Sequence, residues 1–122
     1  MKGDFTKAKQ ITPATKKKVY ERQNGKSILS GWPITEAMCC CHYVGRGEKS
    51  GVGYEWNIVG LLPSEHQELD LNKDITVGGR KRFTNEEAQT IIANHLKENY
   101  NGWTKEKCSY HKYYEEADYG VR

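Results

Sequence analysis

The chain has 122 residues, 36% of them hydrophobic, with 19 Lys and Arg against 16 Asp and Glu for a net charge of +3. That length suits one domain, and a mean hydropathy of −0.88 leaves a small core under a polar surface. No apolar run approaches the roughly 20 residues that cross a bilayer, and the opening MKGDFTKAKQ lacks a signal peptide's apolar stretch. A soluble, cytoplasmic protein with no membrane partner is therefore expected.

The charge is uneven. Residues 1–26 hold eight basic side chains against two acidic ones, net +6, whereas the other 96 hold 11 against 14, net −3. A flexible basic arm over residues 1–14 suits a polyanion such as DNA, because displaced counterions favour binding. It equally suits a solvated tail. Lys16, Lys17 and Lys18 then open a short helix near 15–23, which Asn24-Gly25 ends. KSILSGWP reads as a brief extended piece closing at Gly31 and Pro33, and EAMCCCHYV as a strand.

Cysteines 39–41 alternate across that strand and cannot converge on one another. With Cys108 alone at a distance, a disulfide-stapled fold is not expected. Free cysteine packs as a small hydrophobe, so the run reads as buried strand. GRGEKSGVG is a glycine-rich loop, and WNIVGLL is a second apolar stretch. Pro63 opens the helix PSEHQELDL, and Gly78-Gly79 turns between short strands in DITV and RKRF.

Thr84 and Glu87 fit a capping box that starts a supporting helix over 84–101. Ala88, Ile91, Ile92, His95, Leu96 and Tyr100 form its apolar stripe. His95 is expected to pack there. A tail with Trp103 and several tyrosines is expected to dock on the core. The fold class is α+β, a single domain over 15–122.

His42 on a strand, Asn57 after the glycine loop and His66 on the next helix stand out by type and spacing. A hairpin capped by a helix would bring them round one cleft fit for phosphodiester hydrolysis. An imidazole takes a proton from water, a divalent ion held by the helix stabilises charge on the phosphate, and an amide fixes the loop or helps hold the metal.

The block CHYVGRGEKSGVGYEWNIVGLLPSEHQELD, residues 41–70, resembles the signature of the HNH endonucleases, in particular small phage HNH proteins. The likeness extends weakly over residues 15–107. It implies a ββα-metal core, a basic arm and helix before it, an amphipathic helix after it, and metal-dependent cutting of DNA. By position, His42 would be the general base and Asn57 would orient it or contribute to the metal site. His66 would be a metal ligand, with Asp70 one turn further on the same helix face where some members carry a second one. Arg46 would grip phosphate, and Lys16, Lys17 and Lys18 would contact the DNA backbone. The resemblance further implies Mg2+ or Mn2+ as the ion, the cytoplasm of a host cell, and phage packaging machinery as a partner. One such site cuts one strand.

Two departures from the family pattern bear on these expectations. Positions where many relatives place two zinc-binding Cys-x-x-Cys pairs hold Ser27 and Ser30, then Leu62 and Glu65, so a structural zinc is expected to be absent. The core would then lean on Trp32, Trp56, Ile58 and the tyrosine-rich tail. The residue before the base is Cys41, where well-studied members carry an oxygen or nitrogen ligand. Cysteine suits Zn2+ or another softer ion better than magnesium. Two rivals follow: a non-catalytic binding module that kept the fold, and a zinc-binding interaction protein using Cys39, Cys41, His42 and Cys108.

Overall fold

The computed structural model describes residues 10–45 and 51–109. Most of the basic arm, Arg46 and the tyrosine cluster from Tyr110 onward lie outside the described residues. The described chain is α+β, with three α-helices and two small antiparallel sheets. No helix among the described residues is long and apolar enough to cross a membrane.

Helix α1 (Pro13–Arg22) begins two residues before the expected start. Thr12 caps it, its hydroxyl accepting from Thr15 N at 3.1 Å, and Pro13 takes the first turn, where a missing N–H costs nothing. Asn24 and Gly25 then adopt φ of 57° and 70°, which ends the helix. KSILSGWP is a tight turn and not an extended piece: Gly31 N donates to Ser27 O at 3.0 Å, and Lys26 bridges to Pro33. The turn leaves Trp32 48% exposed, so it does not support the core as expected, whereas Trp56 and Ile58 are buried.

Strand β1 is only Cys41–His42, because residues 36–38 coil into a 3-10 turn that closes on Thr35 and Glu36. It pairs antiparallel with β2 (Ile58–Val59), Cys41 opposite Val59 and His42 opposite Ile58. Helix α2 (Pro63–Asp70) follows β2 directly, giving a strand–strand–helix succession. A hairpin of β3 (Ile75–Val77) and β4 (Arg80–Phe83) packs on α2. Gly78 and Gly79 make its turn with φ of 61° and 80°, the conformation a two-residue hairpin loop needs. Helix α3 (Asn85–Asn99) carries the expected capping box: Glu87 N donates to the Thr84 hydroxyl at 3.1 Å and Thr84 N to Glu87 Oε1 at 2.8 Å.

The main core gathers Cys41 and Val59 from the first sheet, and Trp56 from the 3-10 turn before β2, with Ile75, Ala88, Ile92 and Leu96. A smaller cluster on the other side joins Val19, Ile34, Cys39 and Ile58. The segment leading into β1 thus divides the three cysteines. Cys39 and Cys41 are fully buried in different clusters, and Cys40 is half-buried between them.

Candidate metal centre

Pro63 fixes where α2 starts, and the 3.6-residue period then puts His66 and Asp70 on one face. His66 Nε2 lies 3.2 Å from Asp70 Oδ2. Cys41 comes from β1 beneath them, and one donor atom from each of Cys41, His66 and Asp70 falls within 4.8 Å of the other two. Donors sharing one zinc ion at about 2.0–2.3 Å stand roughly 3.3–3.8 Å apart, so the trio needs only a small contraction to ligate. Without a cation the Cys41 thiol stays protonated. Burial pushes it far above the usual thiol range, and the nearby charge of Asp70 adds to this.

His42 leaves β1 on the other side from Cys41. With His66, Asp70, Cys40, Gly45, Lys16 and the N-terminal segment at Gln10 and Ile11, it lines a cleft of about 580 Å³. The cleft therefore brings together the expected base, both helix ligands and one lysine. The three consecutive lysines part ways, as 100° steps on a helix require: Lys16 lines the cleft, Lys17 is exposed, and Lys18 pairs with Glu55 at 3.2 Å. Arg46 lies outside the described residues.

Asn57, expected to fix the loop, to orient His42 or to help hold the metal, is bonded in the structure to the loop backbone. Its side chain is fully buried and spent on the backbone of the loop that follows His42. Oδ1 accepts from Val44 N at 2.7 Å, and Nδ2 donates to Val44 O at 3.1 Å and to Val52 O at 2.7 Å. Gly51 completes the closure, since a Cβ there would lie 1.7 Å from Val44 O. Asn57 is a positioning residue, clamping both ends of the loop.

The four-ligand set of the zinc-binding rival is not assembled. Cys41, His66 and Asp70 are the one metal-capable group of three or more His, Cys, Asp or Glu among the described residues. Cys108 instead lies under Trp56, its Sγ donating to Trp56 O at 3.4 Å.

One residue was named in the sequence reading only as part of a run, and another escaped it. Lys16 had no signal separating it from its neighbours except helix phase. Glu65, one of the positions where the resemblance would put a zinc cysteine, is fully buried and accepts from the Ser27 hydroxyl at 2.6 Å and from Leu62 N at 2.9 Å. Compared with protein-family models, with curated proteins and with solved structures, the chain matches none.

Proposed function

We propose that the chain is a metal-dependent DNA endonuclease of the ββα-metal HNH type, hydrolysing phosphodiester bonds one strand at a time. One observation carries this reading: a strand, strand and helix in succession set His42, His66 and Asp70 round a single cleft, with the buried Cys41 donor within 4.8 Å of those of His66 and Asp70. His42 takes a proton from water as the water oxygen attacks phosphorus. The P–O bond to the leaving oxygen breaks, and that oxygen takes up a proton to give a hydroxyl beside a phosphate monoester. Lys16 offers the backbone a cation inside the cleft, and Lys17 is exposed next to it on the same helix. Asn57 holds the loop that carries the chain away from His42.

Cys41, His66 and Asp70 would hold the ion, which when bound stabilises negative charge on the phosphate and leaving oxygen. One sulfur, one nitrogen and one oxygen donor suit a zinc-class ion, and three protein ligands leave room for a fourth partner. Magnesium, which prefers oxygen, is the poorer match.

The test is nicking of supercoiled plasmid by the full chain with zinc, manganese, magnesium or EDTA, beside His42→Ala and His66→Ala. Metal-dependent nicking that falls by about 100-fold or more in His42→Ala is expected. Folded protein that binds DNA yet fails to nick it with any of these ions would overturn the reading in favour of a non-catalytic binding module.

A further inference from the structure

Trp32 and the β3–β4 hairpin form a second surface that shares no residue with the cleft. Trp32 and Leu71, at 48% and 54%, are the large hydrophobics left exposed among the described residues. The Trp32 backbone is fixed: its carbonyl accepts from Ser27 N at 2.8 Å, and its N–H donates to Ser30 Oγ at 3.3 Å. The ring lies beside the hairpin turn, where a Cβ built on Gly78 would stand 4.0 Å from Trp32 Cζ2. From that turn β4 runs through Arg80, Lys81 and Arg82, all exposed.

The acidic groups nearby are largely engaged. Asp74 pairs with Lys81 at 3.4 Å, both oxygens of Glu68 accept from Thr76, and Glu87 caps α3, while Glu86 stays exposed on the first turn of α3. No carboxylate among the described residues pairs with Arg80 or Arg82, and the Arg82 guanidinium lies over the Phe83 ring at 5.7 Å.

We infer that this surface binds a single-stranded stretch of nucleic acid, one base stacked on Trp32 and flanking phosphates held by Arg80 and Arg82. Cations alone fit any polyanion. A half-exposed indole at the hairpin turn from which they run adds a π-face that matches a base and that the closed stack of a duplex does not offer. The choice of nucleic acid rests on the reading given above, but no cleft residue takes part. In a nicking enzyme, such a surface would hold the strand that frays at the cut.

Trp56 and Trp103 are only 2% and 8% exposed, so quenching of the full chain's tryptophan fluorescence reports on Trp32. The titrants are a short oligothymidylate, a duplex of equal length, heparin and polyglutamate, all in EDTA. Affinity for a labelled oligothymidylate is measured in parallel. Quenching by the oligothymidylate is expected to exceed that by duplex or heparin. Trp32→Ala removes the signal and weakens binding about tenfold. The double variant Arg80→Ser/Arg82→Ser lowers the salt slope by about 1.4, roughly 0.7 for each lost contact. His66→Ala leaves all of this unchanged.

Heparin or duplex binding as tightly as the oligothymidylate, with Trp32→Ala unaffected, would overturn the inference in favour of plain charge attraction. Quenching by polyglutamate alone would overturn it in favour of a protein partner, and quenching by none would overturn it outright. Plasmid nicking separates the two claims: intact nicking without quenching sinks only this surface, and quenching without nicking sinks only the cleft.

Discussion

Asn57 and Cys41 show how much the site depends on single buried side chains. Asn57 makes three hydrogen bonds to loop backbone from a fully buried position. Asn57→Ala would strand an N–H and two carbonyls inside the protein, a loss of about 2–4 kcal/mol measurable by urea denaturation. A loss under about 0.5 kcal/mol would mean that the loop closes without its clamp. Cys41 exerts its effect through chemistry more than packing, because Cys41→Ser is nearly isosteric. In a cobalt titration the wild-type chain should show thiolate-to-metal absorption. Cys41→Ser should lack it and bind zinc less tightly relative to manganese. The same absorption in the serine variant would exclude Cys41 as a ligand. The sequence offered Cys41 as either core or ligand, and the structure makes the two compatible: a fully buried thiol at the foot of His66 and Asp70.

Between elements, hydrogen bonds stand where the resemblance would have put a zinc. Ser27 Oγ accepts from Leu29 N at 3.1 Å and donates to Glu65 Oε1 at 2.6 Å, and the same Glu65 oxygen accepts from Leu62 N. The turn after α1 is thereby tied to the first turn of α2. Ser27→Ala should cost about 2–3 kcal/mol in urea denaturation, since it removes a donor from a buried carboxylate. Glu65→Leu in the Ser27→Ala background should cost less than the two single losses combined, because the hydrogen bond the two side chains share is then lost only once, while Leu29 N and Leu62 N each lose their acceptor as in the single variants. Additive losses would mean that the two side chains act separately. Local signals in the sequence placed the elements themselves: Asn24-Gly25, Pro63, Gly78-Gly79, and Thr84 with Glu87. Ser27 and Glu65 are 38 residues apart and belong to no periodic pattern, so nothing local says that they meet. Trp32 misled for the opposite reason. Its size argued for burial, and the tight turn from Ser27 carries it outward. That a hairpin capped by α2 brings His42 and His66 to one cleft was read from the order of strand, loop, strand and helix, and the family resemblance implied the same arrangement.

At the scale of the whole molecule, the charge count assigns to solvent some cations that the fold keeps for itself. Arg22 ends the basic helix α1, yet it is half-buried and ties α1 to α3 and to the segment entering β2. It donates to His95 Nε2 at 2.8 Å, Tyr100 Oη at 2.8 Å, Glu55 O at 2.9 Å and Ile58 O at 2.6 Å. Tyr100 in turn donates to Glu55 Oε1 at 2.8 Å, and Lys18 pairs with Glu55 Oε2. Arginine Nε–H can only donate, so His95 Nε2 must accept and the ring must be neutral with its proton on Nδ1. Burial, and then the charge of Arg22, push the His95 pKa from 6.5 down to about 4. The unfolded chain therefore binds a proton that the native one refuses throughout that window. Stability is full above pH 6.5 and is lost as pH falls from 6.5 towards 4, by about 2 kcal/mol once partial exposure is discounted. Glu55 lies in the same network, so the wild type alone does not isolate the histidine. His95→Gln does, because its side-chain oxygen can still accept from Arg22 while carrying no titratable proton. Urea midpoints between pH 7 and 4 should fall more steeply for the wild type than for His95→Gln, and the two curves should converge above pH 6.5. Parallel curves would place the acid sensitivity elsewhere and leave His95 as simple packing.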